Sequence, residues 1–417
     1  MINAFQHENE WNSLLKHVKK LNSFIEIGSY KGGTFESLAK ITKGKKISID
    51  LATGGFGGQG LIASKERNAR ISSRFQNTHF IEGDSSKFET IKQLHNILNG
   101  EQVDLLFIDG DHTYKGVLTD YMLYKQYVKQ GGYIVFHDIV DSEFHRGANC
   151  CVSTLWNKLQ GQKIEFISPD NSDALDDACN VGDIVWGGIG IIKNNFERDV
   201  HIFQCIYDQI SIDLCINSVG NYIPELILNT DTSFCENAVI RKVYSNYKFK
   251  KSDYVGITSP IVTQKTKLTI DDLVSLCYDC DVVNYGALKI IAGNNTDVWA
   301  ANGNGREGTN LYKAAVELNN AKVLDFDIFE QKWTTIYCNY FICKEDIFTK
   351  YCETVLNKVM DYLRTTNWIE WNNPKTGLYH RQRYYPVSIF VCECMFGTFL
   401  SRNNYIVKDI TLFFLNK

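Results

Sequence analysis

The chain has 417 residues, too many for one ordinary hydrophobic core, so two domains are expected. A hydrophobic fraction of 44%, a charged fraction of 22% and only five prolines describe a globular protein and exclude long disordered linkers. A net charge of -4, with no basic tract interleaved with aromatics, excludes the usual electrostatic footprint of a nucleic-acid partner.

The first predicted element is an amphipathic helix over residues 8–20, with Trp11, Leu14, Leu15 and Val18 on one face. The stretch before it lacks an apolar signal core, and no run reaches the ~18 apolar residues of a membrane span, so an untargeted cytoplasmic protein is expected. "SFIEIGSYKGGTFESLAKI" then reads as a short strand, a glycine-rich turn and a helix. "KKISIDLA" is a second strand ending on Asp50, and "GGFGGQG" at 54–60 is expected to be a mobile loop. "THFIEGDSS" and "VDLLFIDGD" are the third and fourth strands. A helix through Leu118, Tyr121, Tyr124 and Tyr127 follows, and a Gly-Gly turn leads into a fifth strand, "GGYIVFHDI". The helix "VSTLWNKL" and the apolar strand "WGGIGIIK", 186–193, close the pattern.

Nearly all-apolar strands alternating with helices predict an α/β, Rossmann-like unit whose mostly parallel sheet is covered on both faces. After about residue 199 this rhythm is lost. The expected domains are therefore 1–197 and 198–417, the second being α/β or α+β.

In parallel sheets ligands collect at the carboxyl ends of the strands. Glu26, Gly28, Asp50, Asp84, Asp109, His137 and Asp138 all fall there. Gly28, Gly32 and Gly33 remove Cβ atoms from the first turn, which lets backbone approach a ligand closely. The spacing is not G-x-G-x-x-G, and Glu26 would repel a phosphate, so a nucleoside-type cofactor and a merely tight turn both fit. Asp50 can accept from a ribose diol or end a strand, and Asp84 can lie beside an adenine or cap the helix "SKFETIKQL". In "FIDGDH", Asp109, Asp111 and His112 read either as a solvated turn or, with "FHD" on the next strand, as a metal site and a base. Asp111 would orient His112 or complete the metal shell. His145 and Arg146, in "SEFHRGAN", could touch substrate, but a solvated loop is the preferred reading. The thirteen cysteines are expected to be free, mostly buried thiols in a reducing compartment; Cys277 and Cys280 alone have C-x-x-C spacing, without a second pair for zinc.

Taken together, residues 20–193 resemble the class I S-adenosylmethionine-dependent methyltransferases. The stretch "FIDGDHTYKGV…GGYIVFHD" resembles the branch of macrocin and mycinamicin sugar O-methyltransferases and cephalosporin-hydroxylase-like enzymes. The resemblance implies that Glu26, Gly28, Ser29, Gly32, Gly33 and Thr34 surround the methionine part of the cofactor, that Asp50 holds the ribose, and that Asp84 and Ser85 lie near the adenine. It implies a divalent metal, Mg²⁺ or Mn²⁺, on Asp109, His137 and Asp138, with His112 as general base supported by Asp111. Where the sugar enzymes carry Glu, this chain has His137, a softer ligand that moves the preference towards Mn²⁺ or another transition metal.

Residues 198–417 resemble, more loosely, glycosyltransferase-like domains found beside sugar-modifying enzymes, which implies a nucleotide-sugar as a further partner. Positions to inspect are Glu236, Asn237, Tyr254, Asn339, Tyr340 and Glu393. "DCD" at 279–281 and "DFD" at 325–327 have the Asp-x-Asp spacing that nucleotide-sugar transferases of the A-type fold use on a metal, but such short spacings arise readily by chance and both are read first as turns or strand edges. "AGNNTDVWAANGNGREGTN", 292–310, is a polar loop that suits a lid, and "NWIEWNNPKTGLYHRQRYY", 367–385, suits sugar stacking or a domain interface. The combined expectation is metal-dependent O-methylation of a sugar or glycan, in a chain fused to a glycosyltransferase-like domain. Methylation of another small molecule and a non-catalytic role in a glycan assembly complex remain alternatives, and the oligomeric state, a homo-oligomer included, is open.

Overall fold

The computed structural model describes residues 6–53, 60–170, 172–175, 186–195, 198–287, 310–329, 339–366, 368, 378–380 and 383–411. They fall into two compact units, Met1–Glu197 and Arg198–Lys417.

The first unit runs α1 (Glu8–Val18), β1 (Phe24–Ile27), α2 (Gly33–Lys40), β2 (Lys46–Asp50), α3 (Leu61–Arg74), β3 (Thr78–Glu82), α4 (Phe88–Leu98), β4 (Val103–Ile108) and α5 (Tyr114–Tyr124). It continues with β5 (Val128–His137), α6 (Glu143–Gly147), α7 (Val152–Lys158), β6 (Lys163–Phe166) and β7 (Ile189–Lys193). Its seven-stranded sheet has the order β3-β2-β1-β4-β5-β7-β6. The first five strands are parallel, and β7 inserts antiparallel between β5 and β6. The chain moves outward from β1 in one direction and from β4 in the other, so the pair β1–β4 is the point where a crevice opens at the carboxyl edge.

The strands form because their residues are apolar on both faces. All six residues of β4 are buried, and so are all four of β1. Helix α1 lays Trp11, Leu14 and Val18 against the same core as Phe35, Phe107 and Ile191. Trp11 packs edge-on to Phe107 with ring centroids 5.6 Å apart, and its indole N–H donates to Ser37 Oγ at 2.8 Å. Trp11→Ala is therefore expected to destabilise this unit by about 3–5 kcal/mol in denaturant unfolding, the range for deleting a buried tryptophan.

Several local expectations are corrected. The helix ends at Tyr124, and Lys125–Tyr127 form a single 3₁₀ turn. Gly131 and Gly132 lie inside β5 instead of before it. Strand β6 and helices α3 and α6 are elements that the sequence reading did not include. Residues 54–59 of the glycine-dense loop lie outside the described residues. The reason Gly28 is a glycine also changes. Its φ is 83°, and a Cβ there would meet the Asp109 carbonyl oxygen at 2.0 Å, so the missing side chain serves the approach of two strand ends.

The second unit holds β8 (Val200–Ile206), β9 (Glu225–Leu228), β10 (Tyr254–Thr258), β11 (Val282–Ala287), β12 (Phe341–Lys344), a hairpin of β13 (Leu378–His380) and β14 (Arg383–Tyr385), and β15 (Val407–Thr411). Its six-stranded sheet has the order β15-β11-β12-β10-β8-β9, with β12 antiparallel to both neighbours. One carboxylate of "DCD" and one of "DFD" make local contacts. Asp281 pairs with Lys344 at 2.8 Å, and Asp327 accepts from the Phe329 amide at 2.9 Å. Residues 292–309 and most of 367–385 lie outside the described residues. Eleven described cysteines are free thiols, including Cys277 and Cys280, both buried in the core of this unit. No described helix is long and apolar enough to cross a membrane.

Candidate functional site

Parallel pairing sets Ile49, Ile27, Ile108 and Phe136 in one row across β2, β1, β4 and β5. The next residue along each strand is Asp50, Gly28, Asp109 and His137. Four adjacent strands thus end together at the carboxyl edge, and pleat alternation sends the side chains of that row to one side. Asp138 follows with φ 59°, a left-handed conformation that Asp tolerates better than most residues and that turns its carboxylate back beneath the edge.

Asp109 Oδ1 lies 3.0 Å from His137 Nδ1 and 3.2 Å from His112 Nε2. Asp138 Oδ1 lies 3.3 Å from both His137 Nδ1 and His145 Nε2, and its Oδ2 lies 3.0 Å from His112 Nδ1. Among the described residues, every ion-pair partner of these two carboxylates is a histidine. Burial pushes the two acids up, but His137 and His112 outweigh it: Asp109 is held below the ordinary range, and Asp138, with His145 adding to the pull, well below it. Burial works in the opposite sense on the imidazoles, yet Asp138 and Asp109 raise His137 to about 9 and His112 well above 6.5. Asp109, His137 and Asp138 offer one ligand atom each within 4.8 Å of one another, which fits a divalent ion with two carboxylates and one imidazole.

Glu26 is fully buried one turn of the pleat behind that row. The Ser29 hydroxyl donates to its Oε2 and lies 2.8 Å from Ser48 Oγ, while Oε1 has no hydrogen-bond partner. Burial pushes the carboxyl up to about 8, against the hydroxyls of Ser29 and Thr34. Asp50 is bound by Arg67 of α3, whose guanidinium also donates to the Tyr30 carbonyl at 2.6 Å. Asp84 sits in a local turn, accepting from the amide and hydroxyl of Ser86 at 2.9 and 2.7 Å. It does not cap α4, whose N-cap position is Lys87. Gly32 gives room for Ile71 and Arg67, and Gly33 opens α2.

Asp111 is directed away from the cluster. It is exposed, its Oδ1 accepts from the Thr113 amide at 2.9 Å, and its carboxyl lies against Gly116 at the start of α5. The carboxylates beside the His112 ring are those of Asp109 and Asp138. His145 is corrected from a solvated loop to a buried residue of α6: its Nδ1 lies 2.5 Å from the Val140 carbonyl and its Nε2 faces Asp138. Arg146 does remain at the surface, paired with Asp141 at 2.7 Å.

Sequence reasoning did not single out four other residues around the site. Gln6, buried, directs its amide to Asp109 Oδ2 at 3.4 Å from 103 positions away. Cys150 closes on His112 and Asp138. Arg67 holds Asp50. Asp120, buried on α5, is pushed up to about 7 by burial and faces the Ser85 hydroxyl, while Tyr124 donates to the Ser85 carbonyl at 2.8 Å. Only Cys150, close in sequence to the fifth strand's end, carried a signal.

In the second unit, Glu236 opens a helix, Glu236–Asn246, and burial pushes its carboxyl up despite Lys265 nearby. Tyr340 shares a 2.8 Å hydrogen bond with Ser259, and both side-chain atoms of buried Asn339 lack a partner. Tyr254 instead donates to the Cys280 carbonyl inside the core.

A curated relative, an uncharacterised protein of Acanthamoeba polyphaga mimivirus, is 35% identical over 129 residues, covering 28% of this chain. The match spans about half of that relative, 52% of its length. Among solved structures, the N-methyltransferase NodS from Bradyrhizobium japonicum is similar over 45% of this chain and 99% of its own, at 15% identity and a TM-score of 0.32. An O-methyltransferase from Bacillus cereus is similar over 44% and 79%, at 12% identity and a TM-score of 0.31. The stretch from residue 25 to 139, which contains β2 to β5, all of β1 but Phe24, and every strand end of the cluster, matches a family described as a methyltransferase domain.

Proposed function

We propose that residues 1–197 transfer a methyl group from S-adenosylmethionine to a hydroxyl of a sugar or glycan, with a divalent cation on Asp109, His137 and Asp138. The observation that carries this reading is the row of strand ends Asp50, Gly28, Asp109 and His137, inside the stretch that matches a methyltransferase domain. The partnerless Oε1 of Glu26 supports a ligand with a hydrogen-bond donor or an ammonium group above the first turn. A bound cation would polarise the acceptor hydroxyl, which is a poor nucleophile near neutral pH. His112 stands beside both carboxylates to take the hydroxyl proton, and Asp138 fixes the direction of its ring. The chain's main contribution is alignment of oxygen, methyl and sulfur, which needs no protein nucleophile. The sugar acceptor rests on the likeness of "FIDGDH" and "FHD" to the sugar O-methyltransferases.

Calorimetric titration with S-adenosylmethionine and S-adenosylhomocysteine tests the cofactor half. Micromolar binding is expected, weakened about 10- to 100-fold in Asp50→Ala, as for loss of a charged hydrogen bond worth about 1.5–3 kcal/mol. Absence of binding by the unaltered protein would remove methyl transfer from consideration. For residues 198–417 the proposal is a glycosyltransferase-like unit that takes a nucleotide-sugar at the carboxyl ends of β8, β9 and β10, close to Glu236 and Ser259. Saturation-transfer NMR with nucleoside-diphosphate sugars checks it: no transfer from any of them counts against the assignment.

A further inference from the structure

The two oxygens of Asp138 look in different directions. Oδ1 faces His137 and His145, while Oδ2 faces His112 Nδ1. His112 and Asp138 also form, with Cys150, a second group of donors whose ligand atoms, one from each residue, all lie within 4.8 Å of one another. Cys150 and Asp138 are buried and His112 is half-buried, so the position is enclosed yet reachable from solvent.

Backbone contacts hold this group in place. Asn149 turns the chain with φ 56°, after which the Cys150 amide donates to the His145 carbonyl and the Cys151 amide to the His112 carbonyl, both at 2.8 Å. The loop after α6 is thereby tied to the turn after β4. His145 adds an orienting contact on the other side: its Nδ1 meets the Val140 carbonyl, which leaves Nε2 to face Asp138.

We propose that Asp138 bridges two cation positions, and that the second, formed by His112 Nδ1, Asp138 Oδ2 and Cys150 Sγ, takes a thiophilic divalent cation such as Zn²⁺. A thiolate, an imidazole and a carboxylate are a zinc-type donor set, whereas Mg²⁺ and Ca²⁺ prefer oxygen alone. Three protein donors leave a tetrahedral ion one position for water. Binding displaces the Cys150 thiol proton and the proton His112 holds towards Asp138, both to solvent. The site goes beyond methyl transfer and stands without it, although an ion there would occupy the residue proposed as base.

Co²⁺, a spectroscopic substitute for Zn²⁺, provides the test on the full chain freed of metal by a chelator. The expected result is a near-ultraviolet thiolate-to-cobalt charge-transfer band that Zn²⁺ abolishes. The band should be lost in Cys150→Ser and His112→Gln and retained in Cys151→Ser. In Cys150→Ser the weaker visible bands of Co²⁺ should persist, from Asp109, His137 and the remaining oxygen of Asp138, which also reports that the variant is folded. Saturation of the unaltered protein with Co²⁺ without a sulfur band, or a band that survives Cys150→Ser, overturns the proposal. Either outcome leaves S-adenosylmethionine binding, measured separately, to decide the methyl-transfer reading.

Discussion

His112→Ala is expected to lower methyl transfer about 10²- to 10⁴-fold, the usual contribution of a positioned general base, while leaving S-adenosylmethionine affinity unchanged. The expectation follows from where the ring stands. Its two nitrogens lie 3.2 Å from Asp109 and 3.0 Å from Asp138, so it reports on both carboxylates proposed to hold the cation. Against the effect of its burial, Asp138 and Asp109 raise the proton affinity of the imidazole. Neutralising them lowers its proton affinity towards the range where it can accept from a hydroxyl. The control is Asp111→Ala, only two chain positions from Asp109. Asp111 holds a turn at the start of α5 by accepting from the Thr113 amide, while the carboxylates beside His112 are Asp109 and Asp138, so its loss should cost about 1 kcal/mol of stability and little activity. Turnover rates and circular dichroism of the two variants decide the matter: activity retained in His112→Ala, or an equal loss in Asp111→Ala, would falsify the assignment.

The second large effect concerns Glu26 and has a definite sign with pH. Its carboxyl titrates at about 8 in the folded chain against 4.5 for the free group, because burial disfavours the charged form. A raised carboxyl pKa means that the unfolded state loses its proton first. The folded protein is therefore disfavoured progressively as pH rises from about 4.5 to about 8, by roughly 3 kcal/mol at pH 7. Glu26→Gln removes this titration and keeps an acceptor for the Ser29 hydroxyl. The variant should match the unaltered protein near pH 4.5 and exceed its stability increasingly up to pH 8, as read by denaturant unfolding at several pH values. A difference independent of pH would mean that Glu26 is charged in the fold, with a counter-ion not yet accounted for.

The sequence by itself determined the layered α/β architecture of the first unit and the residues at its strand ends. This was legible because a buried parallel strand must be apolar throughout, as in Val103–Ile108, and must then stop on polar residues where the sheet meets solvent. Asp109, His137 and Asp138 could be placed at one edge on that ground, since parallel strands end on the same edge; their grouping with His112 as a metal site and a base came from the resemblance.

Only tertiary structure decided which side chains face one another. Strand periodicity is silent about loop conformation, so nothing in "DGDH" distinguished Asp111, turned to the Thr113 amide, from Asp109, turned to two histidines. His145 and Cys150 belong to an aperiodic segment whose burial follows from the left-handed turns at Asp138 and Asn149. Gln6 and Arg67 reach Asp109 and Asp50 from α1's leading segment and from α3, across separations of 103 and 17 residues. Local pattern fixes secondary structure because its forces act over a few residues; partners such as these are chosen by packing, which a linear pattern does not encode.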